Sequence, residues 1–224
     1  MIYDKDIREP LFDFLEEVYG KVRVIEEKTI GKSRADVFLV LEDGICGVEI
    51  KSDADTYARL SKQVKDYDRF FDMNYVVVGT SHAMHIEEHV PKHWGIITVE
   101  DAPEGLDFYI LREPKRETKT SWERKLGLLW RPELAAMLEH FSLPKYRDKS
   151  KAFVVANLVG RIGEKLPEEK LQEEFVRLLF ERDYSTIEQV IAEYKESIRK
   201  TTGVEHTKKR TARRRRRRIV RKKL

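Results

Sequence analysis

Two apolar runs flank Asp43-Gly44: residues 35–41 (ADVFLVL) before it and residues 45–51 (ICGVEIK) after it. Both are rich in β-branched and aliphatic residues, and an Asp-Gly pair between such runs signals a tight hairpin. With Asp43 and Gly44 as a two-residue turn, Asp36 faces Lys51, and directly opposed residues point to the same side of a sheet. Glu49 is two residues from Lys51 and shares that side through the strand period of two. Val37, Leu39, Val48 and Ile50 turn to the other side. The hairpin alone therefore gathers Asp36, Glu49 and Lys51.

Two carboxylates converging on one point repel each other, and one pKa rises unless a cation intervenes. A hard divalent cation with oxygen ligands, such as magnesium, relieves that repulsion. It also lowers the pKa of a bound water and offsets charge on a phosphate under attack. A neighbouring ammonium steadies the water or the developing charge. On these residues alone, a solvated strand face with three paired ions is the competing reading.

The rest of the chain supplies the frame. Residues 5–19 have a helical stripe (Ile7, Leu11, Phe14, Leu15, Val18), and residues 21–27 alternate as a strand. Residues 31–34 read as a polar turn. Residues 56–71 form a helix, 75–78 a buried strand, 84–90 a short helical piece, and 95–99 and 107–111 further strands. From residue 122 only helical periodicity remains, over 126–140, 151–162, 168–181 and 186–198, punctuated by Pro132, Pro144 and Pro167. The expected class is α/β (α+β): a central mixed sheet flanked by helices, then a small all-helical domain and a disordered basic tail. The boundaries are 1–112 for the core, 113–121 for a linker, 122–200 for the helical domain and 201–224 for the tail.

Asp36, twelve residues, then Glu49-Ile50-Lys51 resembles the signature of the PD-(D/E)XK nuclease superfamily, the restriction-endonuclease-like proteins. Ala35 stands where the namesake motif has proline. Gln63-x-x-x-Tyr67, on the helix that follows, is similar to a motif of the recombination-exonuclease branch, and Gln63 and Tyr67 share a helix face. The strings 33–37, 47–56, 59–67, 90–95 and 129–134 are similar to a bacterial and phage branch of the same superfamily. The resemblance implies that Asp36, Glu49 and the carbonyl of Ile50 bind Mg2+, which Mn2+ can replace. It implies that Lys51 assists the attacking water, with Gln63 and Tyr67 in support. Members often add an acid from the first helix; Glu9 is the first choice here, with Asp4 and Asp6 as rivals. The implied activity is hydrolysis of DNA phosphodiester bonds in repair, recombination or phage and host DNA processing. The resemblance also admits a homodimer.

Charge distribution points to the same class of partner. Residues 208–224 hold 12 of the 44 Lys and Arg and none of the 40 acids, including Arg213, Arg214, Arg215, Arg216, Arg217 and Arg218. Such a run repels itself, buries little and pairs with a polyanion. Arg59 is a candidate phosphate contact. Residues 133–151 are similar to a SAP-type DNA-binding helix–loop–helix, in which Lys149 and Lys151 contact phosphate; a plain packing domain is the equal alternative. Cys46 is the only cysteine, which excludes an internal disulfide and thiolate zinc and fits a reducing cytoplasm. No apolar run is long enough for a bilayer, so no membrane partner is expected. His85-x-x-Glu88-His89 matches an inverted zinc-protease motif, but the segment is short and lacks a third ligand. Two alternatives stay open: a non-catalytic nucleic-acid-binding protein on a nuclease scaffold, and a nuclease acting on RNA or branched structures.

Overall fold

A computed structural model describes residues 2–116, 120–182 and 196. The helix expected at 186–198, Glu196 excepted, and the arginines at 213–218 lie outside the described residues. Met1–Arg182 forms one compact unit. Its centre is a mixed sheet of β1 (Arg23–Ile30), β2 (Ser33–Leu41), β3 (Gly44–Lys51), β4 (Met73–Gly79), β5 (Gly95–Ala102) and β6 (Gly105–Arg112), side by side in chain order. Pairing is antiparallel except at β3–β4 and β4–β5, which are parallel. The mixed, helix-flanked α+β architecture is the one expected from sequence.

The sheet carries helices on both faces. On one, α1 (Asp4–Tyr19) buries Ile7, Leu11 and Leu15, one helical stripe, against Val37, Leu39, Val48, Ile50 and Val77. On the other, α2 (Leu60–Phe70) buries Leu60, Val64 and Tyr67 against Ala35, Phe38, Val40 and Val76. The later helices, α4 (Trp122–Leu128), α5 (Arg131–His140), α6 (Lys151–Val159) and α7 (Glu168–Glu181), join this second cluster through Leu126, Met137, Leu158 and Phe175. Covered on both faces, β3 buries all eight residues. Among the described residues, no helix is long and apolar enough to cross a membrane.

Several boundaries differ from expectation for local reasons. Leu41 pairs with Gly44 and Val37 with Val48, so the hairpin turns on Glu42 and Asp43, not on Asp43 and Gly44. Gly44 is instead a point of close approach: a Cβ there would lie 2.8 Å from Asp72 Oδ2. Ser33 and Arg34, read as turn, begin β2. The helix expected over 126–140 is two, because Pro132 has no N–H to give and restricts the residue before it. Glu133 there accepts the Trp130 N–H at 2.5 Å. The segment at 84–90 carries only a 3-10 turn at Ile86–Glu88, after a short α3 (Thr80–Ala83).

A buried ion pair ties α4 to the sheet. Lys125 Nζ donates to Asp72 Oδ1 at 2.8 Å and Oδ2 at 3.0 Å, and Asp72 Oδ2 also accepts the Ile45 N–H at 3.0 Å. Lys125 is 3% exposed and its ammonium sits 4.2 Å from the Trp122 ring centroid. Burial lowers its pKa, and Asp72 opposes that shift. Breaking such a pair strands a charge in the core. Lys125→Met is expected to cost about 3–5 kcal/mol, read as a lower urea midpoint at unchanged slope.

Candidate active site

The β2–β3 ladder ends at Val37–Val48. Continued by one pair, this register sets Asp36 against Glu49 instead of Lys51. The correction moves the partner by two residues, so all three side chains keep a common side. The Ile50 N–H, lying past the last paired residues, goes to Asp36 Oδ2 at 2.9 Å. Asp36 is thereby fixed against the backbone segment that joins Glu49 to Lys51.

Glu49 is 1% exposed and its carboxylate is fully engaged. Oε1 accepts from Lys51 Nζ at 2.6 Å and from Gln63 Nε2. Oε2 accepts from the Tyr67 hydroxyl at 2.7 Å. Gln63 Oε1 also receives Lys51 Nζ at 3.3 Å, and Tyr67 receives the Asp36 N–H at 3.3 Å. The structure thus brings Asp36, Glu49, Lys51, Gln63 and Tyr67 into one network. Gln63 and Tyr67 reach it because α2 lies close on β3: a Cβ on Gly47 would meet the Tyr67 ring at 2.6 Å and the Phe71 ring at 2.3 Å. Burial first, then Glu49 and Asp36, raise the Tyr67 pKa, so its hydroxyl stays a donor.

The network opens into a cleft of about 720 Å³. Asp36, Glu49, Ile50, Lys51 and Gln63 form its floor, with Asp4, Glu27 and Asp55 nearby and Lys32, Arg34, Arg59 and Lys62 also on its walls. Burial, then the charge of Glu49, pushes the Asp36 carboxyl up to about 7, while the Ile50 amide and Lys51 pull it down. No group of three or more His, Cys, Asp or Glu suited to a metal occurs among the described residues. The donors present are two carboxylates and the Ile50 carbonyl, and a magnesium ion that keeps waters and takes substrate phosphate needs no more than one or two carboxylates. Two carboxylates and a carbonyl are oxygen donors of the kind such an ion takes.

Other residues singled out by sequence fall elsewhere. Of the first-helix acids, Asp4 lines the cleft; Glu9 and Asp6 are exposed and do not. Lys151 donates to the Gly127 carbonyl at 2.6 Å, closing the end of α4, and Lys149 lies 5.7 Å from the Phe153 ring centroid; neither lines the cleft. Arg8, which the sequence does not single out, lies 3.9 Å from Asp36, and Glu27 lines the same cleft. The available signal for Arg8 was its spacing of four from Asp4, the reach of a helical ion pair.

The family model described as Bacteriophage P4 protein cII matches residues 2–208. No curated protein matches the chain. Among solved structures, that of Pyrococcus furiosus SfsA in complex with Ca2+ is similar at 16% identity and a TM-score of 0.29. The match covers 50% of this chain and 60% of that one.

The raised Asp36 pKa has a signed consequence for metal-free protein. In the folded state the carboxyl holds its proton to about pH 7, whereas the ordinary value is 3.8. Between these the native state binds more protons than the unfolded one, so stability falls as pH rises through this window. Urea melts in chelator from pH 5 to 8 are expected to show that decline, and Asp36→Asn is expected to flatten it.

Proposed function

We propose that this chain, which belongs to the family of Bacteriophage P4 protein cII, is a divalent-metal-dependent nuclease of the PD-(D/E)XK type acting on DNA. The observation that carries the proposal is the Asp36–Glu49–Lys51 group, braced by Gln63 and Tyr67, at the floor of a cleft with cationic walls. An ordinary surface salt bridge does not need a buried glutamate, and three donors on one carboxylate are costly to assemble without a use for its position.

Asp36, Glu49 and the Ile50 carbonyl are the residues that would hold magnesium. When bound, the ion supplies a more acidic water and charge relief on the phosphate. The chain's own groups do the rest. Lys51 Nζ is held between Glu49 and Gln63, and donates hydrogen bonds to the attacking water or a phosphate oxygen. Gln63 uses both ends of its amide, one on Glu49 and one on Lys51, which sets the ammonium's direction. Tyr67 links the Asp36 backbone to Glu49 and keeps the two carboxylates in register. Lys32, Arg34, Arg59 and Lys62 seat the phosphate backbone on the walls, a contact that weakens as salt rises.

One feature favours the scaffold alternative: Lys51 and Glu49 already form a closed pair at 2.6 Å. A direct assay separates the two readings. Full-length protein is incubated with circular and linear, single- and double-stranded DNA, with Mg2+, Mn2+ or chelator. Metal-dependent cutting is expected, slowed about 10²-fold or more by Lys51→Ala. Salt-sensitive binding without cutting by either metal would establish the scaffold reading instead, and RNA and branched DNA would be tested next.

A further inference from the structure

Of the three arginines that line the cleft, Arg8 is the one beside Asp36. Arg8 belongs to α1, whose apolar stripe packs on the sheet face away from α2, yet its fork ends beside Asp36. Nε donates to Asp4 Oδ2 at 3.0 Å, and Nη2 to Glu27 Oε1 at 2.8 Å. Nη1 donates to Glu26 Oε2 at 3.1 Å and to the Asp36 carbonyl at 3.3 Å. Nη2 lies 3.9 Å from Asp36 Oδ1. The side chain is only 15% exposed.

The strand opposite Asp36 has an unusual backbone at Glu27. Glu26 pairs with Val37 and Lys28 with Ala35, but Glu27, between them, is unpaired in the ladder and has φ +54°. A non-glycine residue there is uncommon and costs energy, and such outliers collect at working sites. Glu27 also receives Arg34 Nε at 2.5 Å, so the distorted residue joins Arg8 to the cleft wall. A strap that merely fastened α1 would need one acceptor on the sheet. Arg8 instead meets the Asp36 residue at its carbonyl and its carboxylate, and meets three further acids.

We infer that Arg8 is a positioning residue for Asp36 and, beside Lys51, a second resident counter-charge of the site. Its fork holds the Asp36 backbone carbonyl, and its charge, 3.9 Å from the carboxylate, lowers the affinity of the empty cleft for a divalent cation, leaving substrate phosphate to complete the ion's hold. The inference rests on the nuclease reading. A unit charge about 4 Å from a metal-binding oxygen acts on any incoming cation by ordinary Coulomb repulsion.

The test is Mn2+ titration calorimetry on full-length wild type, Arg8→Gln and Arg8→Lys, alongside cleavage rates and thermal melts. Arg8→Gln is expected to bind Mn2+ about tenfold more tightly while cleaving about tenfold more slowly, two opposite changes. Arg8→Lys keeps the charge without the fork: affinity within about twofold of wild type and equally slow cleavage are expected. Should Arg8→Gln fail to fold, Arg8→Lys decides alone, since affinity that falls with the rate is the pattern of a structural strap and overturns the inference. Mn2+ binding by wild type with Arg8→Gln no tighter overturns it without touching the nuclease reading. Absence of both Mn2+ binding and cleavage in every variant overturns the two together.

Discussion

Glu49 is an ionisable side chain inside a sheet that is covered on both faces, and its burial sets the terms for what surrounds it. A carboxylate removed from water persists only with partners and good geometry. Lys51 supplies one from the same strand, and α2 supplies Gln63 and Tyr67. For α2 to come close enough, β3 must present no side chain at position 47, and Gly47 meets that need: a Cβ would collide with Tyr67 and Phe71. A small residue on one strand thus allows a helix to lean in, and the helix makes the buried acid tolerable.

The same logic extends outward from Tyr67. Its ring packs against Trp94, 5.4 Å between centroids, and Trp94 Nε1 donates to Asp68 Oδ1 at 2.7 Å. His93 Nε2 meets that oxygen at 3.0 Å. The helix turn that carries Tyr67 is therefore held from the start of β5 as well as from β3. At the start of β3, where the Ile45 N–H donates to Asp72, that carboxylate and Lys125 join α4 to the sheet. Hydrogen bonds to buried charges are stronger than neutral ones and depend on direction, so they fix spacing where apolar packing alone tolerates slippage.

Strand parity was the most legible property of the site. Placing the turn one residue too late changed which residue faces Asp36 but not which side it faces, because the pairing moved by two. Gly44 misled because it has a second use, making room for the Asp72 carboxylate. Arg8 was invisible because its role depends on a contact from the opposite sheet face, which helical periodicity does not report. Glu9 was preferred to Asp4 for want of the same information, since only the docking of α1 decides which acid looks into the cleft. Lys149 and Lys151 read as phosphate contacts in the sequence, and in the structure Lys151 donates to the Gly127 carbonyl. Positions in β2 and β3 were readable because local repeat determines them; positions whose meaning lies in docking were not.

The strand order repeats the chain order, β1 through β6. Each strand pairs with its neighbour in sequence, so the sheet can grow by successive closures, tight at the hairpins and longer at the two parallel crossovers. Low sequence separation between contacts favours rapid folding. The cleft-lining residues all fall between Asp4 and Gln63, in the first third of the chain. During synthesis, that stretch leaves the ribosome before the helices that complete the α2-side core, so the cleft is drafted first and consolidated afterwards.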